Sequence, residues 1–209
     1  MTELRVYLPI EDLQPQFSAW LSSPTRARAY PPFKGQNSLI IEVAPALSIH
    51  KITDLALKAA PEMEPGILYT ERQFGLLELH ADNMADLDAA GKAILGGIKA
   101  KATDQLAPEI LYSEIIEDLS DQHALILNRS RDGSILIPGV SLLICEMVPA
   151  LFACVAANEA EKEAPSATIN DVQMMGASGR IFMSGTLTEM KTARERITKV
   201  LSNIKGRDK

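Results

Sequence analysis

The sequence predicts an α+β fold built twice, each copy an antiparallel sheet with helices packed against it. Three observations carry this. First, short segments recur at a steady spacing. Ile10-Glu11-Asp12-Leu13 returns 106 residues later as Ile116-Glu117-Asp118-Leu119. Glu42, Pro45-Ala46-Leu47, Lys58 and Ala60-Pro61 return 104 residues later as Glu146, Pro149-Ala150-Leu151, Lys162 and Ala164-Pro165, and Gly75 falls on Gly179 at the same offset of 104. Second, each copy alternates short apolar runs with segments of helical period. Third, the last helix of each copy carries a start signal. The repeat divides the 209 residues into domains 1–103 and 104–209, and a duplication of this kind implies a local two-fold and a quasi-symmetric assembly.

Taken in order, each copy opens with a strand, Leu4 to Leu8 and Leu111 to Ile116, then a short helix carrying Phe17, Trp20 and Leu21 or Ala124, Leu125 and Leu127. The runs Ser38 to Val43 and Ser141 to Met147 are apolar almost throughout, as expected of a central strand. Helices follow Pro45 and Pro149, where proline is tolerated; Leu47, Ile52, Leu55 and Ala59 keep a helical period, as do Leu151, Phe152, Val155, Ala156 and Ala160. Paired strands come next: Gly66 to Thr70 with Gly75 to His80, and Thr168 to Met174 with Gly179 to Ser184. Closing helices start at Asn83 and at Thr186, the latter with Glu189 three residues on in a capping-box pattern.

Each copy, at roughly 100 residues, buries only about two thirds of its unfolded surface, so apolar contact with a neighbour adds usefully to stability. The chain is 46% hydrophobic and 23% charged, with no apolar run long enough to span a bilayer. Its first residues lack the basic start and apolar stretch of a secretory signal, which predicts a cytoplasmic protein with Cys145 and Cys154 reduced. A net charge of -6 argues against nucleic acid as a partner. The segment Ser22 to Asn37 is the local exception: Arg26, Arg28 and Lys34 among prolines read as a basic loop, either a solvated connection or a docking point for a phosphorylated molecule or a partner.

Catalytic chemistry is missing from the pattern. There is no Gly-rich phosphate loop followed by Lys, no Ser or Cys matched to a His, and no metal-spaced His cluster. His50, His80 and His123 fall at unrelated positions, and Glu159, Glu161 and Glu163 read as a solvated helix face. No catalytic residue, metal or cofactor is expected.

Asp54-Leu55-Ala56-Leu57-Lys58-Ala59-Ala60, after a strand containing Glu42, resembles the Asp-x-x-x-Lys-Ala-Ala helix of bacterial microcompartment shell domains; Asn158 to Ala164, with Lys162, repeats it. Leu4-Arg5-x-Tyr7, Leu13-Gln14-Pro15-Gln16, Glu71-Arg72-x-Phe74-Gly75, Leu127-Asn128-Arg129 and Ala156 to Lys162 resemble the tandem-domain, circularly permuted members of that family, which form gated trimeric pseudohexamers in shells such as the carboxysome's. Two positions depart from the pattern: Asn158 replaces the helix Asp, and Ser178 stands where an aromatic residue usually precedes Gly179-Arg180.

The resemblance implies two permuted shell domains per chain and three chains per disc, two discs stacking face to face, beside hexameric shell proteins in a carboxysome shell. It places the loops Thr70 to Gly75 and Gly176 to Gly179 at the disc centre. Glu71 and Arg72, next to Gly75, would then form a charged gate for metabolites such as ribulose bisphosphate and phosphoglycerate. Gly176, Ala177, Ser178 and Gly179 would form a small, uncharged wall, while Lys58 and Lys162 would line tile edges. Without the resemblance, the same duplication would suit a tandem α+β regulatory module binding a small effector.

Overall fold

The computed structural model describes residues 2–23, 29–71, 73–129 and 133–208. Contacts divide the chain into two units, Met1–Ala107 with Lys205–Lys209, and Pro108–Ile204. The first unit runs β1 (Glu3–Ile10), α1 (Pro15–Leu21), β2 (Asn37–Ala44), α2 (Ser48–Ala59), β3 (Glu64–Glu71), β4 (Phe74–Ala81) and α3 (Met84–Ile98). The second runs β5 (Glu109–Ile116), α4 (Asp121–Arg129), β6 (Ser141–Val148), α5 (Phe152–Glu163), β7 (Thr168–Gln173), β8 (Gly179–Gly185) and α6 (Leu187–Asn203). Each unit is an antiparallel four-stranded sheet, ordered β1-β2-β4-β3 or β5-β6-β8-β7. The α+β class and the central strands expected from the apolar runs are both present.

The repeated Ile-Glu-Asp-Leu segments have a structural cause. Asp12 and Asp118 take left-handed backbone angles, φ 54° and 49°, a region that short polar side chains tolerate better than others. That turn ends the first strand and drops Leu13 and Leu119 into the core. Each leucine is then held by its backbone: Leu13 N donates to Gln36 O and its carbonyl accepts from Gly35 N, while Leu119 bonds Val140 O and Gly139 N in the same way. The first strands also share a bulge, at Arg5 and at Leu111.

In the first unit Leu39, Ile41, Val43, Leu77 and Leu79 meet Ile49, Ile52 and Ala56 of α2 and Leu87, Ala90 and Ile94 of α3. Strand alternation sends Ile40 to the other face, on the side that α1 covers with the buried Phe17 and Leu21. In the second unit Leu119, Ala124 and Leu136 pack on Leu142 in the corresponding layer. The loop above that layer is clamped by Asn128, whose amide donates to Leu136 O at 2.9 Å and accepts from Leu136 N at 2.8 Å. Helix starts follow their signals: Asn83 Oδ1 accepts from Asp86 N, and Thr186 with Glu189 closes a capping box. Pro45 and Pro149, each after a cis peptide bond, instead sit three residues ahead of their helices.

Division of the chain departs from the repeat boundary. It falls at 107/108, because Leu106 N donates to Arg5 O and Gln105 Oε1 accepts from Tyr7 N, laying Gln105–Ala107 along the edge of β1. Arg207 then bonds Gln105 and Ala107 through its backbone and pairs with Glu3, so the last residues belong to the first unit.

Candidate pore hairpins and helix-edge residues

The two hairpins that the sequence singles out differ in length. In the first unit the ladder is paired as far as Thr70 opposite Gly75 and Glu71 opposite Phe74. In the second the last pair is Gln173 with Arg180, and residues 174–178 are unpaired. The gate position Glu71 thus closes a β-hairpin; its side chain, like Arg72, lies outside the described residues. So do Arg26 and Arg28 of the basic loop, while Lys34 is exposed in a turn.

Gly75 and Gly179 are required by proximity. A Cβ on Gly75 would lie 2.3 Å from Ala46 O and 2.6 Å from Ile49 Cβ; on Gly179 it would lie 2.1 Å from Ala150 O. At Gly75 the strand is therefore pressed onto the turn before α2. Gly176, in the other loop, is glycine for a different reason: its φ of 130° is one that side-chain-bearing residues rarely adopt, and space around it is open.

Nor is that other loop free of charge at its base. Glu146 accepts from the Ser178 hydroxyl and, at 3.0 Å, from Arg180 Nε. The Ser178 hydroxyl and then the Arg180 guanidinium hold the Glu146 carboxyl below the usual range. Its repeat partner Glu42 pairs with Arg5 at 2.8 Å, and the Arg5 guanidinium stacks 3.7 Å over the Phe74 ring. Each conserved-register glutamate thus has an arginine, delivered by β1 in one unit and by β8 in the other. Ser178 occupies the register position of Phe74 and replaces ring stacking by a hydrogen bond. At the loop's start Met174 is buried, with its Sδ 3.8 Å from Cys154 Sγ.

Lys58 and Lys162 share a position but not a setting. Lys58 is 75% exposed and meets Asp54 at 2.7 Å. Lys162 is 27% exposed and meets Glu159 at 2.9 Å; Glu159 also accepts from Arg196. Burial pushes Glu159 up, but the hydrogen bonds from Lys162 and Arg196 outweigh it and leave the carboxyl lowered. Glu159 and Glu161 are consequently not a solvated face, since Glu161 is buried outright. Reading a helical wheel one helix at a time misses this, because the covering surface is remote in sequence.

The sequence reading also missed a polar cluster inside the first unit. Ser38 Oγ donates to Glu78 Oε1 at 2.6 Å, His80 Nδ1 lies 3.2 Å from Glu78 Oε2, and Glu64 Oε2 lies 3.4 Å from His80 Nε2. Ser38, Glu78 and His80 are all buried. Two same-face polar residues on β4, Glu78 and His80, with His80 opposite Ser38, were the available signal. Both cysteines are buried thiols outside any disulfide, and burial pushes the Cys145 thiol up to about 11. Among the described residues no group of His, Cys, Asp or Glu is arranged to hold a metal, and no helix is long and apolar enough to cross a membrane.

A family model described as the CsoS1D N-terminal domain matches residues 4–104. The chain is similar to the carboxysome shell protein CcmP of Synechococcus elongatus, 36% identical over 208 residues covering 99% of this chain and 95% of the relative. It is likewise similar to the carboxysome shell protein CsoS1D of Hydrogenovibrio crunogenus, 34% identical over 205 residues and covering 98% of each. Among solved structures, the double-ringed trimeric shell protein MSM0271 from the RMM microcompartment superposes with a TM-score of 0.95 at 52% identity, covering 100% of both chains. The fused permuted hexameric shell protein MSM0275 from the same microcompartment gives 0.92 at 40% identity, over 99% of this chain and 100% of that one.

Proposed function

The chain belongs to the tandem-domain, permuted bacterial microcompartment shell proteins that include the carboxysome proteins CcmP and CsoS1D, and on that premise we propose that three copies close into a pseudohexameric tile with a gated central pore. Its role is structural, in the shell, and we read it as non-enzymatic. The observation that carries the reading is full-length likeness to carboxysome shell proteins combined with two unequal hairpins. One hairpin is paired as far as Glu71 and Phe74, next to Arg72 in the sequence. The other ends in a loose, small loop, Gly176 to Gly179. Three-fold symmetry brings three copies of each to one axis, so charge at the axis comes from the paired tips.

The gate opens and closes by rearrangement at Glu71 and Arg72, with the backbone of Gly75 held fixed. Partly exposed ion pairs contribute only about 0–1 kcal/mol each, small enough for open and closed rings to exchange. Passing metabolites are anionic and too bulky for narrow hexamer pores; ribulose bisphosphate and phosphoglycerate suit a carboxysome. Hexameric shell proteins are the lateral partners, and two trimers stack face to face. Lys58 lies on the tile edge; Lys162, held by Glu159, contributes less.

A second reading of the cargo is favoured by one observation, the 52% identity to a shell protein of the RMM microcompartment. On that reading the tile is unchanged and the metabolites differ. Native mass spectrometry of the purified chain tests the assembly: a trimer, or two stacked trimers, is expected, and a monomer as the sole species at micromolar concentration overturns it. Co-purification with a carboxylase-containing shell separates the two cargo readings.

A further inference from the structure

Within each unit the first strand meets the last helix, and the two units fill that meeting point differently. In the first unit Tyr7 of β1 pairs with Ile41 of β2 and sends its phenol to α3, where a Cβ on Gly91 would lie 2.0 Å from the tyrosine hydroxyl. In the second unit Ser113 holds the same register on β5, opposite Cys145 of β6. The buried Leu87, Ala90 and Ile94 of α3 recur on α6 as Met190, Ala193 and Ile197, which aligns Gly91 with Arg194. A large residue on the strand facing a glycine is thus exchanged for a small residue on the strand facing a cation. Were this only an exchange of volume, the space would be filled. Instead a hollow of about 380 Å³ remains, lined by Ser113, Arg194, Glu195, Thr198 and Lys199, all within the second unit.

The polar groups of this hollow lack protein partners. The Ser113 hydroxyl, beside the Cys145 thiol, is buried with no hydrogen-bond partner among the described residues, an arrangement that packed cores avoid. Arg194 is half-buried and, like Lys199, makes no ion pair among the described residues, not even with Glu195 in the same lining. Thr198 Oγ1 donates to Arg194 O at 2.9 Å, so towards a ligand it can only accept. We propose that the hollow binds a small phosphorylated hydroxy compound. The planar guanidinium of Arg194 and the ammonium of Lys199 match the oxygens of a phosphate, and the Ser113 hydroxyl can donate one further hydrogen bond. Glu195 and Thr198 accept from the hydroxyl groups of the same ligand. The volume falls within the range of small-molecule sites and suits a compound of a few carbons. The site is complete within one unit of one chain, so it rests on neither the trimer nor the pore.

The test is isothermal titration calorimetry of the full-length protein with glycerol 3-phosphate and, separately, inorganic phosphate. One saturable site per chain is expected, tighter for glycerol 3-phosphate than for phosphate. Arg194→Gln and Lys199→Gln should each weaken it by about tenfold or more, the size of one lost charge-assisted contact. The double variant Ser113→Tyr/Arg194→Gly rebuilds the Tyr7 and Gly91 pairing in the second unit and should abolish binding while keeping the wild-type circular dichroism spectrum. Equal affinity for the two probes overturns the hydroxylated ligand. Absence of saturable binding, or binding that survives both Arg194→Gln and Lys199→Gln, overturns the site. So does binding that is lost in Glu71→Ala/Arg72→Ala and kept in Arg194→Gln, which would put the anion at the first hairpin instead.

Discussion

Gly75 and Gly179 recur because nothing larger fits between the fourth strand and the turn that follows the proline. A methyl group at Gly75 would sit 2.3 Å from a backbone oxygen and 2.6 Å from Ile49 Cβ, so the strand or the turn must shift. Overpacking of this kind costs about 1–3 kcal/mol. Gly75→Ala should lower the urea midpoint by a corresponding amount, and an unchanged midpoint would show that the contact relaxes freely. Glu159 offers a second residue-scale test. Its carboxyl is lowered in the folded chain, so it contributes stability at pH values above its unfolded value of about 4.3 and loses it as pH falls through the folded value. Glu159→Gln should therefore cost about 1–3 kcal/mol at pH 7, leaving Arg196 and Lys162 without their carboxylate. The difference from wild type should narrow below about pH 4. A cost that is constant from pH 3 to pH 7 would mean that the glutamate's charge is not what matters.

Among the elements, the two hairpins carry the functional contrast. The β3–β4 ladder persists to Glu71 and Phe74, whereas β7–β8 stops two pairs sooner at the register of Tyr69 and Leu76. Ladder pairing ties the backbone at Glu71 to Phe74, whereas residues 174–178 have no such pairing. The double variant Glu71→Ala/Arg72→Ala should hold the axis open in high-resolution images of the trimer, since the Gly176 to Gly179 loop has no side chain able to reach across. An axis that is still blocked, or a tip remote from the three-fold, removes the gate assignment and leaves the shell assignment intact.

For the whole molecule, assembly separates edge residues from ring residues. Lys58 is highly exposed and paired only with its helix neighbour Asp54, and an exposed pair of this type contributes about 0.3–0.5 kcal/mol. Lys58→Ala should leave both stability and the trimer unchanged while lowering incorporation into shells, measured by the amount of the chain retained in purified compartments. Lys162→Ala should instead reduce stability, because it removes a partner of Glu159. Full incorporation of Lys58→Ala would take that lysine off the tile edge.

Much of this fold is legible in the residues alone, for reasons that are local. The duplication, the central apolar strands, the Asn83 and Thr186 caps and the proline-to-glycine register all depend on neighbours within a few positions or on simple repetition. Tertiary structure decided what depends on distant surfaces. Identical helix patterns at Lys58 and Lys162 become an exposed cation and a half-buried one, and the carboxylate that holds Lys162 is shared with Arg196 of another helix. Glu159 and Glu161 look solvated on a helical wheel and are enclosed in space. Ser38, Glu78 and His80 come together only because β2 and β4 pair in one register. The close contact at Gly75 is likewise invisible in the residues around it, since the atoms that forbid a side chain there belong to Ala46 and Ile49, far off along the chain. Periodicity reports which way a side chain points; what it meets there is set by the packing of segments that the sequence keeps apart.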